Sequence, residues 1–267
     1  EWLSSLPRHV QIYNSMNWKP PTWMHLPLLY TEEGIKLSKR LGHSNVDWYK
    51  EKGYLPEALL HCLMFHGWMH HANAGKEILN LKEMEELFDA KHLKNKSKML
   101  NFPTMDSINS QHVQRVVETN VDRIVHLVQS KVEQINPKIT SDHLRKVLKV
   151  TKERIHNLDT FAERFAYYFT EDVVLSNEYS EKINASIPME TQRKVLEYHL
   201  ARFDKLSKEE FEDENNVQGI ILQSKEDLGL GFKVIMTVLR YYLTGSNAGP
   251  HVKDTASILG KNITMSI

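Results

Sequence analysis

From about residue 43 to the C-terminus, apolar residues recur three and four positions apart, and no segment shows sustained apolar/polar alternation. The first period is that of one face of an α-helix, and the second would mark a half-buried strand. Most of the 267 residues are therefore restricted to an all-helical fold. Pro56 suits a first-turn position, and Leu59, Leu60, Leu63 and Met64 form the stripe that follows it; Leu81, Met84, Leu87 and Phe88 continue the pattern. Val113, Val116, Val117, Val121, Ile124, Val125 and Val128 predict a helix over 110–131. Thr140 and Ser141 supply a cap for a helix reaching about Ile155 through Leu144, Val147 and Leu148. A strongly aromatic helix is expected over 161–169, another after Pro188, then 217–222 and 232–243, with a short one starting at Thr255. Ser, Asn and Pro concentrate near 176–190, which divides the helices into two compact units.

Residues 1–40 read differently. They are rich in Trp, Pro and Tyr, and Pro20 with Pro21 breaks any helix there. Met24 to Tyr30 is a short apolar run followed by a turn at Thr31-Glu32-Glu33-Gly34, giving helix, loop, short strand, loop.

Composition narrows the function classes. Hydrophobic residues make up 41%, enough for one large or two ordinary cores, and no apolar run approaches the roughly 20 residues of a membrane span. Cys62 is the only cysteine, so internal disulfides and cysteine-rich zinc knuckles are excluded, and a reducing compartment is the natural setting. Lys+Arg and Asp+Glu both count 34. This balance argues against a general nucleic-acid coat but leaves room for a local basic face. The chain opens on Glu1 with no targeting segment in view, as expected of a truncated sequence. Cys62, His66 and His70 recur at four-residue spacing beside His61 and His71, but amphipathic core helix is the better reading and no metal site is expected. The acidic run Glu209-Glu210-Phe211-Glu212-Asp213-Glu214 reads as a solvated helix face or loop.

The pentapeptide Lys36-Leu37-Ser38-Lys39-Arg40 is weak by itself, since short basic loops with a serine are common. It gains meaning from its surroundings. Glu1-Trp2-Leu3-Ser4-Ser5 precedes it, His25 stands eleven residues upstream, and Asp47-Trp48-Tyr49 and Gly53-Tyr54-Leu55-Pro56-Glu57-Ala58-Leu59-Leu60 follow. Phe169-Thr170-Glu171-Asp172, Leu243-Thr244-Gly245-Ser246, Gly249-Pro250 and Leu259-Gly260-Lys261 come later. In this order and spacing the chain resembles the C-terminal portion of the glutamyl-tRNA synthetase family, bacterial or mitochondrial type, over nearly its whole length.

The resemblance implies a mainly α fold: a small remnant of a class I Rossmann catalytic domain (1–42), then linker helices and a first helical anticodon-binding subdomain (43–180), then a second (181–267). It also implies a glutamate–tRNA ligase that passes through glutamyl-adenylate, with ATP as substrate and Mg2+ beside it in the full-length enzyme. Lys36, Ser38 and Lys39 would be the catalytic loop residues, with Lys39 reaching the departing pyrophosphate, a task suited to a compact ammonium on a flexible stem. Gly34 and Ser38 would shape a loop whose closure gates the reaction. Glu1, Trp2, His25, Leu28, Leu29, Lys36 and Lys39 would line the ATP site. Arg154 and Arg240 would read anticodon bases, with Pro250 and Val252 packing against one. Single-stranded RNA is read by stacking surfaces and forked donors of this kind. Arg145, Lys146, Lys149 and Lys152 lie on the helix leading to Arg154, either as a phosphate-tracking face or as an ordinary solvated one.

Two departures stand out. The loop carries Leu37 and Arg40 where the general class I loop reads KMSKS, and 211–230 matches the family poorly. No HIGH-like sequence precedes Lys36, so the chain alone is expected to lack activation activity. Partners follow from the resemblance: the glutamate tRNA, with the glutamine tRNA left open, and glutamate. No membrane is involved, and the protein is expected to be a monomer. A mitochondrial matrix location is expected, with a bacterial cytoplasm as the alternative. The competing functional classes are a non-catalytic helical tRNA-binding module and a helical protein-interaction scaffold.

Overall fold

A computed structural model describes residues 2–37, 45–68, 78–93, 98–170 and 177–266. Thirteen labelled helices and two strands run in the order α1 (Leu6–Ser15), β1 (Leu29–Tyr30), α2 (Val46–Glu51), α3 (Pro56–Gly67), α4 (Leu81–Leu87), β2 (Lys98–Met99), α5 (Phe102–Ile135), α6 (Ser141–Thr151), α7 (Phe161–Arg164), α8 (Asn177–Ser186), α9 (Met189–Phe203), α10 (Lys208–Glu212), α11 (Glu214–Leu228), α12 (Phe232–Thr244) and α13 (Val252–Ser266). The chain divides into two compact units, one formed by Glu1–Glu51 with Leu55–Ile108 and the other by Lys52–Tyr54 with Asn109–Ile267. The divisions expected from the sequence lie after 42 and 180.

In the first unit, Leu55, Ala58 and Cys62 of the α3 region are buried, as are Trp68, Leu79, Met84, Leu100 and Met105. Pro56 occupies the first turn of α3. The Asn80 side chain caps α4 in a capping box with Glu83. Trp68 Nε1 donates to the Asp89 carbonyl at 3.0 Å, which satisfies the one polar atom of a buried ring.

The all-helical expectation after residue 43 needs one correction. β2 pairs parallel with β1, Leu29 opposite Lys98 and Tyr30 opposite Met99, and Trp68 and Leu93 form an isolated bridge. A two-residue strand is too short to show a period, and its partner lies some seventy residues away in sequence, so only tertiary pairing defines it.

The second unit is a helical bundle. α9, α11, α12 and α13 pack together, α10 lies against α11 and α13, and α6 touches α13. Thr140 caps α6 by accepting from the His143 amide at 3.2 Å. The acidic run forms the short helix α10, in which Phe211 is fully buried while its carboxylate neighbours face solvent. Lys261 closes another helix end: its Nζ donates to the carbonyls of Asp204 and Leu206, just past the end of α9. Gly260, at φ 80° and ψ 165°, bends α13 and occupies a conformation reserved for glycine.

The aromatic segment 161–169 is not one helix. Phe165 leaves the helical region at φ −112° and ψ 24°, so α7 ends at Arg164 and a 3-10 turn covers Ala166–Tyr168. Phe161, Ala162, Phe165, Tyr168 and Phe169 are all buried, on more than one side of the segment. Aromatic residues favour the helix weakly, and packing them from several sides outweighs its continuation. The helix expected over 110–131 is longer, and Asn120 interrupts it at φ −156° and ψ 72°.

Candidate functional site

Two groups of the expected site residues are separated in the sequence and are taken in turn. The first surrounds β1. Thr31 to Ile35 forms a tight turn: Thr31 N donates to the Ile35 carbonyl at 2.8 Å, and Gly34 N to the Thr31 carbonyl at 3.0 Å. Gly34 sits at φ 76°, with open space where a Cβ would stand. Leu37 N then donates to the Leu29 carbonyl at 3.0 Å, and Tyr30 and Lys36 form an antiparallel bridge. Lys36 is thus exposed at the foot of a hairpin, held by backbone pairing on both sides. Leu28 and Leu29 are half-buried and His25 is exposed. Trp2 is 70% exposed and meets the His9 ring edge-on at 6.0 Å. Glu1, Ser38 and Lys39 lie outside the described residues.

The second group lies in the helical bundle. Arg154 ends the 3-10 turn that follows α6, where the cap residue Ile155 turns extended and is buried, anchoring the turn. Arg240 lies on α12, one turn before the left-handed Gly245 ends that helix. Neither guanidinium makes an ion pair or side-chain hydrogen bond among the described residues, and Arg240 Nε is fully buried without a partner. Burial depresses the Arg240 pKa first, and the nearby Arg154 charge depresses it further. Most surface cations in proteins lie among carboxylates. Neither Arg154 nor Arg240 has one among the described residues.

Tyr167, which the sequence reading did not single out, completes this cluster. Its hydroxyl is buried and lies 3.8 Å from where a Cβ on Gly249 would be. Burial drives its pKa upward, the adjacent Tyr168 adds to that, and Arg154 and Arg164 oppose it. Arg164 lies 5.8 Å from the Phe165 ring centroid. Spacing separates Tyr167 from the phenylalanines but not from Tyr168. Phe161, Phe165 and Phe169 share the i, i+4, i+8 stripe, with centroids 5.4 Å and 6.0 Å apart for Phe161–Phe165 and Phe161–Phe169, and Tyr167 falls off that stripe. The Tyr168 hydroxyl lies 3.1 Å from Thr255 Oγ1 on α13.

Pro250 and Val252 are buried, Val252 to 2% exposure. Val252 also lines a groove of about 510 Å³ with Leu222, Phe232, Met236, His251 and Asp254. Burial raises the Asp254 carboxyl to about 6, and the neighbouring Glu214 adds to that rise. Of the basic residues leading to Arg154, Arg145 is held by Asp122 and Asp142, and Lys152 by Glu118. Lys146 and Lys149 are exposed and have no ion pair among the described residues.

The cysteine–histidine spacing can be followed only in part, because His70 and His71 lie outside the described residues. Cys62 and His61 are buried, and burial pushes the Cys62 thiol up to about 11. No group of three metal-ligating side chains occurs among the described residues.

Comparison with known proteins gives these two groups a common setting. Residues 111–266 match the anticodon binding domain family, and residues 1–107 match the catalytic domain of class I tRNA synthetases (E and Q). The chain is 29% identical to the mitochondrial glutamate–tRNA ligase of Schizosaccharomyces pombe, covering 100% of this chain and 50% of that protein. It is also 29% identical to glutamate–tRNA ligase 2 of Thermosipho melanesiensis, covering 98% and 55%. A crystal structure of a glutamate tRNA ligase from Elizabethkingia meningosepticum, in complex with its amino acid, superposes with a TM-score of 0.79 at 25% identity, covering 99% of this chain and 54% of that one. The Elizabethkingia anophelis glutamate-tRNA synthetase superposes with a TM-score of 0.75. The chain spans about half the length of the curated relatives it matches. It belongs to the class I glutamyl-tRNA synthetase family, and it carries that family's anticodon-binding domain behind a portion of the catalytic domain.

Proposed function

We propose that this chain is the anticodon-reading portion of an enzyme that ligates glutamate to its tRNA through glutamyl-adenylate. The observation that carries the proposal is the pair Arg154 and Arg240, two guanidiniums without an ion-pair or hydrogen-bond partner among the described residues, with the Arg154 charge adding to the burial that lowers the Arg240 pKa. A guanidinium fork satisfies two acceptors on one base edge, and an unpaired pair of forks lowers its free energy when polar base edges or phosphates arrive. Lys146 and Lys149 supply additional positive charge on the helix before Arg154. Arg145 and Lys152 are committed to carboxylates and contribute less.

In the same reading, Lys36, Ser38 and Lys39 form the phosphate-binding loop for ATP and its Mg2+, with Glu1, Trp2, His25, Leu28 and Leu29 lining the nucleotide site. The backbone pairing of Lys36 and Leu37 with β1 supports this role, since it fixes the start of the loop while leaving the Lys36 side chain exposed. The enzyme acts as a monomer in the mitochondrial matrix. A mitochondrial relative supports that location, and the bacterial relatives make a bacterial cytoplasm the alternative.

Charging assays on the full-length enzyme test the anticodon reading. Arg154→Ala weakens discrimination between the glutamate and glutamine tRNAs by about 1–3 kcal/mol, the scale of one base contact. Unchanged relative charging of the two tRNAs would remove Arg154 from the reading.

A further inference from the structure

Phe232, Met236 and Arg240 are spaced i, i+4 and i+8 on α12. They form one row along the helix, each about 6 Å of rise from the next. The first two line the groove of about 510 Å³ bounded by α11, α12 and the start of α13. The third is the arginine assigned above to the anticodon. The groove lies wholly within the segment that matches the anticodon binding domain family. Its lining is of two kinds. Phe232 is 38% exposed and Leu222 53% exposed, and with Met236 and Val252 they give an aromatic and aliphatic surface open to solvent. The charged lining is Glu214, Lys253 and Asp254. Lys253 Nζ donates to Gln218 Oε1 at 3.2 Å and lies 3.5 Å from Glu214 Oε1, so its charge is committed to that side of the groove. Two carboxyls against one ammonium disfavour a phosphate. An ionised carboxylate can only accept hydrogen bonds, so the groove suits a ligand that brings N–H donors on an apolar ring.

We infer that this groove takes an amino-bearing nucleobase of the anticodon loop, its ring stacked on Phe232 and its exocyclic amine donating to the Asp254 carboxylate. The inference rests on the anticodon reading proposed above. Single-stranded RNA is recognised by splaying bases onto aromatic side chains and bonding their edges. A carboxylate favours cytosine or adenine, because each presents an amine. It disfavours the uracil carbonyl, which would face it as a second acceptor and leave both unsatisfied. The Asp254 carboxyl, at about 6, is ionised at pH 7.5 and able to accept. The volume falls within the range of about 300–1,000 Å³ usual for small-ligand sites. The row on α12 lets one nucleotide fill the groove while its neighbour meets Arg240.

The test is charging, by the full-length enzyme, of the glutamate tRNA and of variants in which each anticodon base in turn carries or lacks an exocyclic amine. Phe232→Leu keeps the apolar bulk and removes the stacking face. It is expected to raise the KM for tRNA about tenfold, with the loss falling on KM rather than kcat. Asp254→Asn is nearly isosteric and adds a donor. It is expected to cut the preference for an amine-bearing base about tenfold at one anticodon position and to leave the other two positions unchanged. A merely structural role for Asp254 would not alter preference at a single position. Thermal melting reports the folding of both variants, and if Phe232→Leu melts well below the parent, the base preference of Asp254→Asn decides alone. An unchanged KM in a well-folded Phe232→Leu, or parental preferences at all three positions in Asp254→Asn, overturns the inference. The anticodon reading then still stands if Arg240→Ala raises KM in the same assay. A parent enzyme indifferent to every anticodon substitution overturns both.

Discussion

Helices α1 and α6 are similar in length, ten and eleven residues, and both carry an apolar side. Their fates differ. α6 buries Leu144, Val147, Leu148 and Thr151, while α1 buries none of its residues. Around α1, Trp2, Leu3, Ile12, Met16, Trp18 and Trp23 are all exposed, from 41% at Trp23 to 70% at Trp2. An apolar stripe becomes a core only when another element covers it. Within this chain α6 has that cover from α13 and the aromatic segment, and α1 has none among the described residues. These exposed apolar residues lie in the segment that matches part of a catalytic domain.

The contrast can be broken most forcefully in the bundle. Gly53 has φ 76°, and a Cβ on it would stand 2.4 Å from the Leu158 amide nitrogen and 2.5 Å from that of Asp159. Its carbonyl accepts from Leu158 N at 3.3 Å and from Asn109 Nδ2 at 3.3 Å. Gly53→Ala meets backbone rather than a movable side chain. It should destabilise the protein by about 2–4 kcal/mol, read as a fall in the denaturant midpoint. A loss below about 1 kcal/mol would mean that this junction gives way more easily than its close approach implies.

A smaller effect is expected where α11 meets α13. Asp254 has a raised pKa, about 6, because burial and Glu214 disfavour its charge. A carboxyl whose folded pKa is raised contributes stability that is fully present below its unfolded value and is lost as pH rises through the folded one. Stability tied to Asp254 therefore falls between about pH 4 and 6. His199 works in the opposite sense: burial lowers its pKa, so it contributes stability that is lost as pH falls below its ordinary range. Asp254→Asn separates the two. It should raise Tm at pH 7.5 by about 1–3 °C, with solvent screening keeping the gain small, and the gain should shrink by pH 5. A gain that is constant across this range would place the repulsion elsewhere.

The smallest effect is expected in the N-terminal segment. Trp18 is 58% exposed and meets only the edge of Tyr13 at 6.1 Å among the ring contacts. Trp18→Ala should change the stability of this chain by less than about 0.5 kcal/mol. Denaturant melts check it, and a larger loss would show that α1 already has a core.

The site was legible in the sequence to different depths. Arg154 and Arg240 were found through ordered family motifs, and in the structure the Arg154 charge adds to the burial that lowers the Arg240 pKa. Tyr167 was hidden in a run of aromatics whose stripe residues are core, since adjacent tyrosines read alike until one hydroxyl is seen to meet Thr255. The basic helix face read as four equal cations, but Asp122, Asp142 and Glu118 neutralise two of them from nearby in space.

What the sequence determined by itself was the helical character of most of residues 43–267, the cap at Thr140, and the family. Each rests on short-range physics or on local strings of residues: a 3.6-residue period, a side chain three positions from its amide, a motif. Tertiary structure decided the rest. It made a strand of Lys98–Met99, broke the aromatic helix at Phe165, buried no residue of α1 among the described ones, and left Arg154 and Arg240 without ion pairs among the described residues. Those outcomes depend on which distant groups meet, and a linear pattern carries no direct record of that.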